Sequence, residues 1–224
     1  MNLPTPGRHA EVHQHELRQP ELQQKAQLMS ASEVERTLIR LAHEILEKNN
    51  GVEDLALVGI RRRGVPLAER LAKIIRRIEK KPVLLGTLDI TLYRDDLSLD
   101  ERTLDERPLD GRTFDQRTSD ARPVVRKTEL EIPITDKSVV LVDDVLYTGR
   151  TTRAAMDALF RSGRPKRLQL CVLIDRGHRE LPIEAAFVGR TVQTTESQSI
   201  EVKLREVDDA EKVLLMERQR TNTT

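Results

Sequence analysis

The sequence predicts an α/β fold in which a mainly parallel sheet is flanked by helices. Three segments, 55–60, 139–142 and 168–174, consist almost entirely of apolar residues. Strands that are buried on both faces have this composition, which is typical of the central strands of a parallel sheet. The 224 residues are enough to bury a core, and this length favours one domain with appendages.

A helix is predicted ahead of the first of these strands. Ser32 and Glu35 stand three residues apart and form a capping box, and apolar residues then follow at helical spacing as far as position 46. The sequence Asn-Asn-Gly at 49–51 ends this helix.

Three arginines follow the strand at 55–60. Arg61, Arg62 and Arg63 precede Gly64 and a helix predicted over 65–79. Guanidinium groups and backbone N–H groups at the carboxyl end of a strand form a site for an anion. A run of charges is often a solvated face, but the position at a strand end favours ligand binding.

The segment 138–152 carries the clearest functional pattern. Asp143 and Asp144 close an apolar strand, and two carboxylates side by side are expected at its carboxyl end, where open α/β sheets bind ligands. Residues 148–152, Thr-Gly-Arg-Thr-Thr, then supply hydroxyls, a flexible glycine and N–H groups before a helix that contains 154–160. A phosphate suits that helix start. The alternative is that the two acids only end a strand and cap a turn.

Residues 81–93 read as another strand, and a repeat follows it. Residues 99–123 divide into five units of five residues. This period matches neither a helix nor a strand, so we expect a mobile insertion over 97–123. The arginines of the repeat are candidates for RNA contacts, but each lies near an aspartate, which favours a self-neutralised solvated loop.

Composition limits the function further. The 38 Lys and Arg residues nearly balance 37 Asp and Glu residues, so an RNA site has to be a local patch. Cys171 lies in an apolar strand and is predicted to be a buried core thiol. No apolar stretch reaches the length of a membrane span and no signal peptide is evident, so we expect a soluble cytoplasmic protein. Short strands are expected at 187–189 and 199–204.

The order of apolar strand, Asp-Asp, short loop, Thr-Gly-x-Thr and helix resembles the motif with which type I phosphoribosyltransferases bind 5-phosphoribosyl-1-pyrophosphate (PRPP). Stretches 87–96, 142–150 and 175–182 resemble signatures of one branch, the pyrimidine operon regulators that are also uracil phosphoribosyltransferases. The likeness spans about residues 30–216 and implies the type I phosphoribosyltransferase fold, with a small hood and a flexible lid loop. It implies a domain over 29–217. Residues 1–28, rich in proline, histidine and glutamine, are expected to form a mobile N-terminal extension, and 218–224 form a polar tail.

The resemblance also implies roles for single residues. Asp143 and Asp144 hold the ribose hydroxyls and are catalytic together with Arg94, which lies at the lid loop. Residues 148–152 cradle the 5-phosphate, and the arginines neutralise pyrophosphate together with Mg²⁺, which is held through PRPP and not by a dedicated protein site. The predicted substrate-binding residues are Arg62, Arg63, Gly64, Arg94, Val142, Asp143, Asp144, Val145, Leu146, Tyr147, Thr148, Gly149, Arg150, Thr151, Thr152, Arg176 and Ile200.

Partners follow from the same resemblance: PRPP, uracil, UMP, the leader mRNA of a pyrimidine operon, and further copies of the chain in a homodimer or higher oligomer. RNA is expected on a basic dimer face to which Arg40, His43, Lys48, Arg61, Arg176 and His178 contribute, although His43 can equally be an ordinary helix residue. Two alternatives stay open. They are a uracil salvage enzyme without RNA regulation, and a phosphoribosyltransferase for another base, because PRPP motifs do not select the base.

Overall fold

The computed structural model describes residues 22–90 and 130–218, which form two sheets and four helices. In chain order the elements are β1 (Leu22–Ser30), α1 (Ala31–Asn49), β2 (Leu55–Ile60), α2 (Gly64–Glu79), β3 (Leu84–Leu88), β4 (Ser138–Leu146), α3 (Arg150–Ser162), β5 (Arg167–Asp175), β6 (Phe187–Thr191), β7 (Gln198–Lys203), α4 (Arg205–Asp208) and β8 (Lys212–Arg218).

The larger sheet confirms the predicted fold class. Its five strands lie in the order β3-β2-β4-β5-β6, and every pair is parallel. All of β2 and the apolar run Val139–Val142 of β4 are buried. Continuous apolar runs therefore mark the central strands, because helices cover both faces of this sheet.

Alternate residues of the central strands enter two separate cores. Leu57, Val140 and Cys171 pack with α1 and α2 on one face, whereas Val58 and Leu141 pack with α3 on the other. This division follows from the two-residue period of a strand. Cys171 is 1% exposed and is a free thiol, so the prediction of a buried core cysteine is confirmed.

The smaller sheet is antiparallel, with the strand order β1-β8-β7. We call β1, β7, β8 and α4 the hood. The expectation that residues 22–28 belong to a mobile extension is wrong, because these residues form most of β1 and pair with β8. The strand pairs with a segment at the other end of the chain, so its local sequence carries little signal for it.

Several boundaries also differ from those predicted. The capping pair of α1 is Ser30 and Glu33, since the backbone N–H and Oγ of Ser30 donate to Glu33 Oε2 at 2.8 and 2.7 Å. Ser32 and Glu35 have the same spacing, but β1 ends at Ser30 and so fixes the helix start. The strand predicted over 81–93 is β3, Leu84–Leu88. Residues 1–21, Arg94 and the insertion at 97–123 lie outside the described residues.

The parallel arrangement gathers the chemistry at one edge of the larger sheet. The carboxyl ends of β2, β4 and β5 meet there, so the segments 61–64, 143–149 and 176–179 lie at the same edge. The hood approaches this edge because β7 packs against β4.

Candidate active site

Asp143 and Asp144 stand at the carboxyl end of β4. Asp143 is 7% exposed, and its Oδ1 accepts a hydrogen bond from the backbone N–H of Asp144 at 2.9 Å. Asp144 Oδ1 accepts one from the N–H of Val145 at 2.8 Å. Burial raises the pKa of Asp144, whereas the Arg63 guanidinium acts to lower it. Backbone groups thus orient both carboxylates, which are suitable acceptors for sugar hydroxyls.

The loop after β4 leads directly into the first turn of α3. Gly149 has φ of +93°, a conformation that glycine adopts without steric cost. Thr148 Oγ1 accepts a hydrogen bond from the N–H of Arg150 at 3.3 Å. The helix begins at Arg150, so Arg150, Thr151 and Thr152 belong to its first turn and do not merely precede it. The N–H groups of a first turn have no partner within the helix, and they stabilise a bound phosphate.

Arg179 anchors this loop, although it was not among the predicted site residues. Its Nη1 donates to the carbonyl oxygens of Tyr147 and Leu146 at 2.8 and 3.4 Å. Its Nη2 donates to Asp175 Oδ1 at 2.6 Å, and its Nε donates to the Ile183 carbonyl at 3.0 Å. The signal for it was a charged cluster immediately after a buried strand, at the same edge as the two acids.

Two glycines allow the turn between β2 and α2 to pack closely, Gly64 against β4 and Gly59 against the start of α2. A Cβ on Gly64 would lie 2.2 Å from the carbonyl oxygen of Val142 and 3.2 Å from the Cα of Asp143. A Cβ on Gly59 would lie 2.6 Å from the Cα of Val65. Any side chain at either position would therefore overlap with backbone atoms, and this close approach places the turn beside Asp143.

The three arginines of the turn have different surroundings. Arg61 is exposed, and its Nη1 donates to Asp89 Oδ2 at 2.9 Å. Arg62 is exposed as well. Arg63 donates from Nε and Nη2 to the two carboxylate oxygens of Asp208 in the hood, at 3.0 and 2.7 Å. The predicted anion site therefore contains two arginines, Arg61 and Arg63, that are already tied to carboxylates.

Arg176 follows β5 and is 8% exposed. Its Nε donates to Thr194 Oγ1 at 3.0 Å, and its Nη2 donates to the Gln198 carbonyl. The guanidinium carbon lies 3.9 Å from the centre of the Tyr147 ring, a cation–π contact. Burial lowers the pKa of Arg176. Ile200 lies on β7 and packs against the core of the larger sheet. Tyr147 thus joins the loop after β4 to Arg176.

Arg40, predicted to bind RNA, lies on α1 beside β6. Its Nη2 donates to the carbonyl oxygens of Val188 and Gly189 at 3.1 and 2.6 Å. Arg36 and Arg190 line the same groove, and no sequence motif indicated either residue. Arg36 and Arg40 lie one helical turn apart on α1, whereas Arg190 lies on β6, far along the chain. The packing of α1 on β6 brings the three together.

The other candidates for RNA binding are distributed over the molecule. His43 and Lys48 are exposed on α1, and Lys48 Nζ lies 5.3 Å from the centre of the Phe187 ring. His178 contacts Tyr147 edge to face at 6.0 Å. Arg61 lies near β3, at the opposite edge of the sheet from β6. Within one protomer, Arg61 therefore lies apart from the candidates on α1.

The combination of groups at the sheet edge suits a phosphorylated sugar with a second anionic group. Carboxylates are available for hydroxyls, a helix N-terminus for phosphate and arginines for the other anion. Within 22–90 and 130–218, no cluster of three His, Cys, Asp or Glu side chains could hold a metal ion. In the same ranges no helix is both long and apolar enough to cross a membrane.

Comparison with known proteins gives a consistent result. Residues 25–207 match the family described as phosphoribosyl transferase domain. The chain is 52% identical over 195 residues to "Bifunctional protein PyrR" of Thermus thermophilus, with 87% of this chain and 97% of the relative covered. It is 53% identical over 190 residues to the protein of the same name from Chloroflexus aurantiacus, with 85% and 94% covered.

Solved structures agree at the level of the fold. A hypoxanthine-guanine phosphoribosyltransferase from Bacillus anthracis superposes with a TM-score of 0.57 at 19% identity, covering 88% of this chain and 99% of that one. The hypoxanthine phosphoribosyltransferase of Trypanosoma cruzi gives 0.58 at 15% identity, with 88% and 98% covered. At these identities the likeness shows the shared fold alone.

Proposed function

Because the chain belongs to the phosphoribosyltransferase family, where it matches the PyrR proteins over most of its length, we propose that it has two linked activities. It converts uracil and PRPP to UMP and pyrophosphate, and it regulates pyrimidine genes by UMP-dependent binding to leader mRNA. The comparisons confirm the family and the branch that were inferred from the sequence motifs. The roles of single residues remain predictions.

The observation that carries the enzymatic proposal is the meeting of three elements at one sheet edge. The 5-phosphate of PRPP binds the first turn of α3, where the N–H groups of Thr151 and Thr152 and the hydroxyl of Thr148 are available to a ligand. The ribose hydroxyls donate to Asp143 and Asp144, whose orientation is fixed by backbone N–H groups. Pyrophosphate lies toward the turn at 61–64, beside the same strand end.

The reaction needs charge neutralisation more than a strong nucleophile. A uracil nitrogen forms a bond to C1 of the ribose while the bond from C1 to pyrophosphate breaks, and the proton of that nitrogen passes to solvent. Positive charge develops on the sugar and negative charge on the leaving group, so the arginines act where charge appears. Arg62, Arg63 and Arg94 are assigned to pyrophosphate. Arg176 and Ile200 are assigned to the base.

Mg²⁺ is expected to enter with PRPP. Asp143 and Asp144 offer the hard oxygen ligands that Mg²⁺ prefers, but two carboxylates are too few to hold it alone. The donor set therefore fits an ion held mainly by oxygens of the substrate. When bound, Mg²⁺ neutralises pyrophosphate.

Replacement of Asp143 tests the enzymatic role. The Asp143→Asn variant keeps the shape of the side chain but removes its charge, so we expect UMP formation from uracil and PRPP to be abolished. The unfolding temperature should stay close to that of the wild type. Wild-type turnover by this variant would contradict the ribose role. Orotate and hypoxanthine tested in place of uracil distinguish the alternative of a phosphoribosyltransferase for another base.

The RNA activity is favoured by the PyrR relatives and by the arginine groove beside α1. Phosphate contacts by Arg36, Arg40 and Arg190 would make RNA binding strongly dependent on salt. We expect selective binding to the leader RNA of the pyrimidine operon, strengthened by UMP and weakened across a salt series. Absence of selective binding in a preparation that forms UMP would leave the alternative of a uracil salvage enzyme.

Assembly and location complete the proposal. The protein acts in the cytoplasm. It forms a homodimer or a higher homo-oligomer, because the RNA-binding candidates lie apart within one protomer and need a second copy to form one face. Light scattering coupled to gel filtration measures the mass directly. A mass of one chain at working concentration would contradict an oligomeric RNA-binding face.

A further inference from the structure

An ion pair joins the hood to the edge of the active site. Arg63 is the residue before α2, and its guanidinium meets Asp208 of α4 in a two-point contact, with distances of 3.0 and 2.7 Å. Asp208 Oδ2 also accepts a hydrogen bond from the N–H of Leu204 at 2.9 Å. The side chains of Arg63 and Asp208 are 28% and 17% exposed. A half-buried, bidentate pair of this kind is stronger than an open surface pair.

The same guanidinium is close enough to the site to act on its charges. Arg63 counteracts the effect of burial on the pKa of Asp144. Asp208 raises the pKa of Arg63, with smaller contributions from Asp144 and from Glu201 on β7. One positive charge therefore serves a carboxylate of the hood and a carboxylate of the active site.

The backbone gives this contact a mechanical consequence. Gly64 follows Arg63 directly and is so close to β4 that an added Cβ would lie 2.2 Å from the Val142 carbonyl oxygen. A displacement of Arg63 would therefore move the part of the turn that touches the strand end carrying Asp143. The hood thus has a direct structural connection to the anion-binding turn.

We propose that Asp208 is a positioning residue, which holds Arg63 and the turn at 61–64 against the carboxyl end of β4. The inference rests on the proposed function, since the turn is assigned to pyrophosphate. It also changes the role of Arg63, which keeps its hood partner and supplies a fixed positive charge to the site. A charge held in place before the substrate binds requires no reorganisation during the reaction.

The chain offers a natural control on the same two elements. Arg70, further along α2, donates to Glu206 and Glu211 at the hood, with 2.8 Å between its Nε and Glu206 Oε1. These contacts of Arg70 join α2 to the hood, as the Arg63–Asp208 pair does. Arg70 lies about two helical turns from Arg63, because the two arginines are seven positions apart along the chain. Glu206→Gln therefore loosens the hood without touching the turn.

The experiment compares Asp208→Asn with Glu206→Gln. We expect Asp208→Asn to raise the KM for PRPP about tenfold, as for the loss of one charge-assisted pair, and to change the KM for uracil by less than about twofold. Glu206→Gln should leave both values near those of the wild type. Asp208→Asn should have little further effect in an Arg63→Gln background, because Asp208 acts through Arg63.

Hydrogen–deuterium exchange on the ligand-free protein supplies a readout that does not depend on the reaction. Asp208→Asn should speed exchange of the amides at 61–65, whereas Glu206→Gln should not. If both variants give the same exchange there and the same KM for PRPP, the positioning role is overturned. If the wild type itself forms no UMP, the proposed function fails, and the exchange comparison still decides whether Asp208 holds the turn.

Discussion

Substitution of Gly64 by alanine tests whether the turn at 61–64 has to touch β4. The new Cβ would lie 2.2 Å from the carbonyl oxygen of Val142. An ordinary contact between non-bonded heavy atoms is about 3.5 Å, so the turn has to retreat by roughly 1 Å. The carbonyl belongs to a central strand held by neighbours on both sides, so the turn is the part that moves.

The expected loss of activity follows from this displacement. A misplacement of about 1 Å in a catalytic site costs about 100-fold in rate. We therefore expect kcat/KM for PRPP to fall about 100-fold in Gly64→Ala, whereas KM for uracil changes little. Overpacking of this kind costs about 1–3 kcal/mol of unfolding free energy, which lowers Tm by roughly 3–10 °C in a chain of this size.

Steady-state kinetics with varied PRPP and thermal unfolding together make the assay. Gly86→Ala is the matched control, since its Cβ would meet the ends of the Leu130 and Ile132 side chains, at 2.7 and 3.0 Å, in the middle of β3. Side-chain ends can rotate away, so this variant should lose some stability but keep its activity. If Gly64→Ala keeps kcat/KM within about threefold of the wild type, the reasoning from close backbone contact is refuted.

Three further predictions concern other groups of the structure. Burial raises the pKa of Cys171 to about 12, so iodoacetamide at pH 8 should label this thiol only after denaturant is added, as mass spectrometry can show. Arg63 and Arg70 hold the pKa values of Asp208 and Glu206 below their ordinary 3.8 and 4.5. The two ion pairs therefore stabilise the fold at neutral pH, and this stabilisation is lost as the carboxylates become protonated below those values, so Tm should decline at acidic pH. Arg179→Met removes the donors that hold the loop after β4, so calorimetry should show PRPP affinity reduced by about tenfold or more, and an unchanged affinity would contradict the anchoring role.

Local chemistry explains why part of the site was predictable. Asp143, Asp144 and the residues that follow are contiguous, so their order along the chain already describes a strand end, a loop and a helix start. The arginines after β2 could be assigned to the same edge because parallel strands bring their carboxyl ends together. Arg179 was missed since its role lies in the carbonyl oxygens it holds, and composition does not reveal which carbonyls a guanidinium reaches.

The buried strands, the acid pair and the position of the loop after them could be recognised from the sequence, because continuous apolar runs and contiguous polar motifs need no distant partner. The tertiary structure alone decided that Leu22–Ser30 is a strand and that Arg63 belongs to Asp208, 145 residues away. Both depend on the hood, whose strands and ion pairs join segments from the two ends of the chain. Such pairings depend on which surfaces meet in the folded chain, and no local pattern encodes them.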